Sequence, residues 1–258
     1  VYHKLLGNLY AEISFTPDLK LKTSMGIEMG ASRYKEFLDP FSSAWGRNQQ
    51  GQASYNTSLN YKWINEEILT YTKKIGDHSF SALAGFVASR YVGESANSSI
   101  RGFSDNKIHS MNAGTVLNKP SEDYGASTNA SVLGRVTYDY QNKYLATVNF
   151  RAHGSSKFGV NNRWGYFPSF SLGWRLTGEE FMKPLDWLSD LKLRVGWGQV
   201  GNDQVGYYSS YGIYGIGANY NMDGIILPGY YQSQIGNDKL RWERTTQTNV
   251  GLDFSFLN

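Results

Sequence analysis

The sequence predicts an all-β chain, an antiparallel meander of about nine long strands. Three observations predict it. Apolar and polar residues alternate over segments of about 9–15 residues, where a globular strand is typically about 5–6 long and a membrane-spanning strand about 9–11. Glycine (28) and tyrosine (19) are abundant and proline (6) is scarce, which suits long strands because proline cannot donate to a ladder. Connections also alternate, short near 16–18, 73–77 and 140–142 and long near 31–52, 92–127 and 200–240. Short turns at one end and long loops at the other are the asymmetry of outer-membrane barrels. A soluble β-sandwich with aligned polar and apolar faces is the alternative reading of the same pattern.

The elements follow in order. Residues 5–15 set Leu5, Leu9, Ala11, Ile13 and Phe15 on one face against Asn8, Tyr10, Glu12 and Ser14. Thr16-Pro17-Asp18 is a turn signal, and residues 19–29 resume with Leu19, Leu21, Met25, Ile27 and Met29. A three-residue loop that pairs Phe15 with Leu19 makes the two apolar faces coincide, as register demands. Residues 56–72 and 78–91 alternate less cleanly, although Phe80, Ala82, Ala84 and Phe86 share one face. Val132, Gly134, Val136 and Tyr138 superimpose on Tyr144, Ala146, Val148 and Phe150 only if the loop around Gln141-Asn142 is odd-numbered. Phe170, Leu172, Trp174 and Leu176 form the next apolar row, then Leu191, Leu193, Val195 and Trp197, then Val250, Leu252, Phe254 and Phe256. Aromatics gather at the short-turn ends (Phe15, Tyr138, Tyr140, Tyr144, Trp187, Phe254, Phe256), as an interfacial girdle would.

Composition excludes several classes. No apolar run approaches the length of a transmembrane helix. The chain has no cysteine, so a disulfide framework or thiolate metal site is out. A net charge of +3 without a Lys/Arg-rich run gives no case for a nucleic-acid partner. No charged-then-apolar leader opens the sequence, so any targeting segment is expected to have been removed or to lie outside it. Glu66-Glu67, Glu122-Asp123 and Glu179-Glu180 are adjacent pairs; neighbours on a strand point to opposite faces, so these are solvated charges rather than an acid/base dyad. His3, His78, His109 and His153 are scattered without metal-ligand spacing, and no G-x-S-x-G or Walker string occurs. No enzyme activity and no cofactor are expected.

Arg151 to Phe158 reads RAHGSSKF, Trp164 to Arg175 reads WGYFPSFSLGWR, and Trp187 to Gly198 reads WLSDLKLRVGWG. Asn237 to Asn258 reads NDKLRWERTTQTNVGLDFSFLN. These blocks, in this order, closely resemble the SusC/RagA family of TonB-dependent outer-membrane transporters. His153 departs from the motif, which carries an acidic residue there. The resemblance implies that residues 1–258 are part of the barrel domain of a large barrel of about 22 strands, with long extracellular loops and short periplasmic turns. The family's plug domain and remaining strands lie outside this sequence. It also implies a bacterial outer-membrane location and TonB-dependent import of a bulky nutrient, an oligosaccharide or a peptide. Implied partners are a SusD-like lipoprotein, TonB through the plug segment, other segments of the same barrel, and lipid. A soluble or surface-anchored glycan-binding β-protein without transport, or a passive porin, is the alternative.

The long loops hold the candidate binding residues. Tyr207, Tyr208 and Tyr211 lie among Gly, Ser and Asn, while Trp45 and Arg47 sit beside Asn48, Gln49 and Gln50. Aromatic faces stack on sugar rings or peptide side chains, and amides bind without charge; packing of loop on loop explains the same residues without a ligand. Arg135, Asn149, Arg175, Lys192 and Arg194 fall on the polar parity and are expected to face the lumen.

Overall fold

The computed structural model describes residues 1–185 and 187–256. Its elements are β1 (Tyr2–Thr16), β2 (Leu19–Leu38), α1 (Ala44–Gln49), β3 (Gln52–Ile75), β4 (His78–Arg101), β5 (Val116–Leu117), β6 (Ser121–Tyr140) and β7 (Tyr144–Ser155). There follow β8 (Trp164–Arg175), β9 (Leu188–Asn202), β10 (Ile213–Ile216), β11 (Tyr220–Met222), β12 (Ile225–Leu227), β13 (Tyr230–Gln234) and β14 (Glu243–Phe256). Nine long strands form one sheet in the order β1-β2-β3-β4-β6-β7-β8-β9-β14, and β5 is a short addition to β4. The sheet stays open, with β1 and β14 at its edges.

The strands pass through two compact units. The first holds Val1–Leu9, Met25–Ile64 and Ser89–Ser127. There Val1 and Arg33 exchange both backbone hydrogen bonds, at 2.8 and 2.9 Å, the pairing that a Phe15–Leu19 register requires at the far end of the hairpin. Four strands are longer than the alternation suggested: β2 and β6 have 20 residues, β3 and β4 have 24. Segments 31–38, 92–101 and 121–127, expected to be loop, are strand. Ala31 to Leu38 carries polar residues on both parities, so the sheet continues where the apolar signal has faded.

The second unit holds Tyr10–Ser24, Asn65–Ala88 and Thr128–Asn258; within it Asp186, and Leu257 and Asn258 of the last motif block, lie outside the described residues. The odd-numbered loop is there: Tyr140 pairs with Tyr144 and Val136 with Val148. Gln141 (φ 55°) and Asn142 (φ 54°) adopt the left-handed conformation that closes the loop. Two ladders then run unbroken over five strands. Tyr138, Ala146, Leu172, Val195 and Val250 form one row, and Tyr140, Tyr144, Trp174, Leu193 and Leu252 the next. On the opposite face lie Arg135, Asn149, Ser169, Gly198 and Gln247, and beside them Thr137, Thr147, Ser171, Gly196 and Asn249.

Among the described residues no second layer covers the apolar rows: Val148 is 57% exposed, Leu172 54% and Val250 72%. A sandwich would bury these side chains under another sheet, so the sandwich reading fails. At the short-turn end Phe80, Tyr138, His78, Tyr140, Tyr144 and Trp174 form a chain of ring contacts at 4.8–6.5 Å, and Trp187 stacks on Phe256 at 5.6 Å. The segment after Arg175 forms two 3-10 turns, Leu176–Gly178 and Glu180–Met182.

Candidate functional site

Three of the motif blocks meet in the second unit, at the strand ends away from the short turns. Leaving β7, Ser155 donates its backbone N–H to the Arg163 carbonyl at 3.0 Å. Its hydroxyl donates to Asp203 Oδ2 at 3.0 Å, and Lys157 Nζ donates to the Asp203 carbonyl at 3.1 Å. On the return to β14, Trp242 Nε1 donates to the Arg163 carbonyl at 2.9 Å, and Asn162 Nδ2 donates to the Asp238 carbonyl, also at 2.9 Å. Phe158, fully buried, packs with Phe167 and Trp242, flanked by Val205 and Leu240. Gly159 allows the close approach, since a Cβ there would lie 2.8 Å from the Asp238 carbonyl oxygen. The motif residues Ser155, Lys157, Phe158 and Trp242 thus buckle the β7–β8 connection onto the β9–β14 connection.

Beside this buckle the polar face forms a concavity of 770 Å³. Leu83 and Leu133 line one part; Arg135, Asn149, Arg151, His153, Ser169, Asp203 and the rings of Phe167 and Trp242 line the rest. Arg135 Nε donates to Asn149 Oδ1 at 2.6 Å, and Asn149 Nδ2 donates to Ser169 Oγ at 3.2 Å, a polar ladder across three strands. Arg151 donates to Ser131 Oγ at 3.0 Å, and that hydroxyl is 2.8 Å from His153 Nδ1. Such a surface offers hydrogen bonds, charge and aromatic faces. Among the described residues no group of three or more His, Asp or Glu converges on one point.

The expected residues divide into separate groups. Arg135, Asn149, Arg175, Lys192 and Arg194 share one face of the sheet by register. Arg194 Nε lies 2.6 Å from Asp253 Oδ2. Arg175 Nε lies 3.2 Å from Asp190 Oδ1, close enough to pair although its N–H is not aligned for a hydrogen bond. Tyr207 lies beneath Lys157 Nζ at 5.6 Å, and the Tyr208 and Tyr211 rings meet edge-on at 6.5 Å. Gln234 Nε2 bonds both the Tyr208 and Tyr211 carbonyls, at 3.1 and 2.9 Å.

The 200–240 loop is more ordered than its composition suggests: β10 pairs with β13, and β11 with β12 across an Asp223-Gly224 turn. Tyr214, Ile216 and Tyr230 stand exposed on it.

Trp45 and Arg47 belong to the first unit. Trp45 is 62% exposed on α1, a single turn and a half capped by Ser43 Oγ, which accepts from Gly46 N at 2.9 Å. Arg47 donates to the Phe41 carbonyl at 3.0 Å. Preceding the helix, Asp39 accepts from Asn106 Nδ2 at 2.9 Å and from the Phe41 and Ser42 amides. These bonds, Asn106 foremost, hold its carboxyl below the usual carboxylate range.

Sequence reading missed Arg151, Asp203 and Trp242 as neighbours of one concavity. Arg151 and Trp242 stand inside the motif blocks, so the signal was present; what it lacked was the fold that joins residues 151–163 to 203–242.

The family model for the TonB dependent receptor-like β-barrel matches residues 5–258. TonB-dependent receptor P39 of Formosa agariphila is 33% identical over 249 residues, 95% of this chain and 24% of that protein. TonB-dependent receptor SusC of Bacteroides thetaiotaomicron is 33% identical over 265 residues, 98% of this chain and 25% of that protein. The structure of the RagAB peptide transporter superimposes with a TM-score of 0.88 at 25% identity, covering 100% of this chain and 28% of the other. The chain therefore spans about a quarter of the length of the relatives it matches.

Proposed function

The chain belongs to the TonB-dependent receptor-like β-barrel family, and from that premise we propose that it builds part of the wall and mouth of an energised nutrient importer. The cargo is a bulky oligosaccharide or peptide crossing the bacterial outer membrane, delivered with a SusD-like surface lipoprotein. TonB acts through a plug segment that lies outside residues 1–258. The family is one of transporters rather than enzymes. Its SusC and RagAB relatives, the latter named as a peptide transporter, favour cargo of that size.

The observation that carries the reading is the two-faced ladder of β6 to β9 and β14. Rows such as Tyr138, Ala146, Leu172, Val195 and Val250 leave an apolar face uncovered, edged by stacked aromatics at the short-turn end. In a membrane that face meets lipid and the rings sit at the interface. The other face, with Arg135, Asn149, Arg175, Lys192 and Arg194, then lines the lumen. Charges there stay hydrated or paired, as Arg194 is with Asp253. Tyr207, Tyr208 and Tyr211 stand at the loop end, where cargo enters, and Trp45 and Arg47 serve the same role from the first unit.

Tracer uptake by cells expressing the full-length protein, with and without TonB, tests the reading. Uptake lost without TonB is expected. Equal uptake in both strains would make the protein a passive porin.

A further inference from the structure

We propose that Arg135 and Arg151 form a carboxylate-recognition site on the polar face, so that the cargo is anionic. This deepens the transport reading and rests on it. Arg135 lies opposite Asn149, and Arg151 opposite Leu133, two residues along the same face. The two arginines are therefore diagonal neighbours on adjacent strands, with backbones roughly 7–8 Å apart. Both are exposed and both line the 770 Å³ concavity.

Their bonding differs from that of the other arginines on this face. Arg194 is paired with Asp253 and Arg175 with Asp190. Neither Arg135 nor Arg151 has a carboxylate within ion-pair distance among the described residues. Each instead donates to a neutral oxygen: Arg135 through Nε to Asn149 Oδ1, Arg151 through one Nη to Ser131 Oγ. Those bonds orient the guanidinium planes and use one of the five N–H donors of each arginine, and both residues line the concavity. The Ser131 hydroxyl accepts from Arg151 and lies 2.8 Å from His153 Nδ1, and an imidazole carries no negative charge in either protonation state. The next residue on Arg151's own strand face thus supplies no counter-charge. Asp203, the one acid lining the concavity among the described residues, accepts from the Ser155 hydroxyl.

Two guanidinium groups against the single Asp203 carboxylate, beside low-dielectric walls, here Leu83, Leu133 and the Phe167 ring, leave a net positive potential focused into a concave space. Arginine's planar fork matches a carboxylate in bidentate geometry. An acidic peptide and a uronate-bearing oligosaccharide both present that group, and the site reads the group itself.

Calorimetric titration of the full-length transporter in detergent tests this with two matched probe pairs. One pair is a hexapeptide with a central Asp and its Asn counterpart; the other is a galacturonate trimer and a galactose trimer. In at least one pair the carboxylated member is expected to bind about tenfold more tightly at low salt, and the pair that responds identifies the source. The preference should vanish in R135Q/R151Q and persist in part in R135K/R151K, with the heat-modifiable gel mobility of both variants reporting that the barrel has folded. Equal affinity within both pairs, no binding of any probe, or an undiminished preference in R135Q/R151Q would overturn the proposal. TonB-dependent uptake without charge preference would remove this site and leave the transport reading intact. Charge-selective binding with TonB-independent uptake would do the reverse.

Discussion

Trp242 Nε1 donates to the Arg163 carbonyl oxygen at 2.9 Å across 79 positions of sequence, and this bond ties together the two connections that form the buckle. Trp242 is 8% exposed and packs on Phe158 and Phe167. W242A should therefore release residues 203–241, at a local cost of about 3–5 kcal/mol. W242F keeps most of the packing and loses the bond, so about 1–3 kcal/mol is expected. Limited proteolysis of outer-membrane vesicles reads the difference as faster cleavage within 203–241 in the order wild type, W242F, W242A. Identical rates in all three would show that the buckle does not hold the loop.

The two faces of β7 should respond oppositely to a charge. V148R places a cation in the apolar row and should destabilise the full-length barrel by about 2–4 kcal/mol if the site lies near the midplane. T147R, one residue away on the polar face, should cost less than about 1 kcal/mol. Urea titration in lipid vesicles measures both, and comparable losses would mean that the faces are not distinguished by lipid and water.

The parts that alternation governs were legible before the fold was known. The Val136–Val148 register and the odd-numbered loop followed from superimposing two apolar faces, because a one-residue slip would have sent Arg135 against Val148. The far halves of β2 and β4 were not legible. Ala31 to Leu38 has polar residues on both parities, and beyond an apolar band nothing in the pattern separates strand from loop. The site was half legible. Parity placed Arg135 and Arg194 on one face, but no local signal told that Arg194 meets Asp253 while Arg135 and Arg151 meet only neutral groups. That distinction depends on partners 59 and 14–20 positions away.

Asn142 carries a left-handed backbone (φ 54°) at the β6–β7 turn, and its N–H donates to Asp139 Oδ1 at 2.7 Å. N142V places a β-branched residue where L-residues clash with the following carbonyl, at a cost of about 1–2 kcal/mol. N142G should be within about 0.5 kcal/mol of wild type. Chemical denaturation of the full-length protein gives both values, and equal stability of N142V and N142G would contradict the turn geometry.

Glu179 collects the short-turn aromatics. Its Oε1 accepts from the Tyr144 hydroxyl at 2.5 Å and from Trp174 Nε1 at 3.1 Å, and Lys143 Nζ lies 3.7 Å from Oε2. The Tyr144 bond first, then Trp174, lowers the carboxyl below its ordinary range. A depressed folded pKa contributes stability in full above the ordinary glutamate range, near about 4.3, and loses it as pH falls through the folded value. Thermal midpoints measured from neutral to acid pH should therefore fall more steeply in wild type than in E179Q across that interval. Parallel curves would show that the carboxylate adds nothing to the belt.

The open edges make a further expectation. β14 bonds β9 on one side, and β1 and β14 end the sheet. In lipid each unpaired backbone group costs several kcal/mol, more in sum than the ~5–15 kcal/mol that holds a domain together. Both edges should pair with other strands of the longer protein. Residues 1–258 expressed alone should fail to give a heat-modifiable, protease-resistant species in vesicles. Such a species, if it formed, would mean that the sheet closes on itself.

Single-cysteine scanning of residues 191–198 in the full-length protein, with any cysteine elsewhere replaced by serine, measures most directly whether this sheet separates lipid from water. Each cysteine is treated with a membrane-impermeant thiol reagent, and a fluorophore on it is then exposed to a lipid-borne quencher. The expected result is a strict period of two. Positions 191, 193, 195 and 197 should be quenched by lipid and slow to label, and positions 192, 194, 196 and 198 should label fast and resist quenching. Labelling without alternation, or alternation in the opposite phase, would contradict the assignment of the Leu193–Val195–Trp197 face to the bilayer.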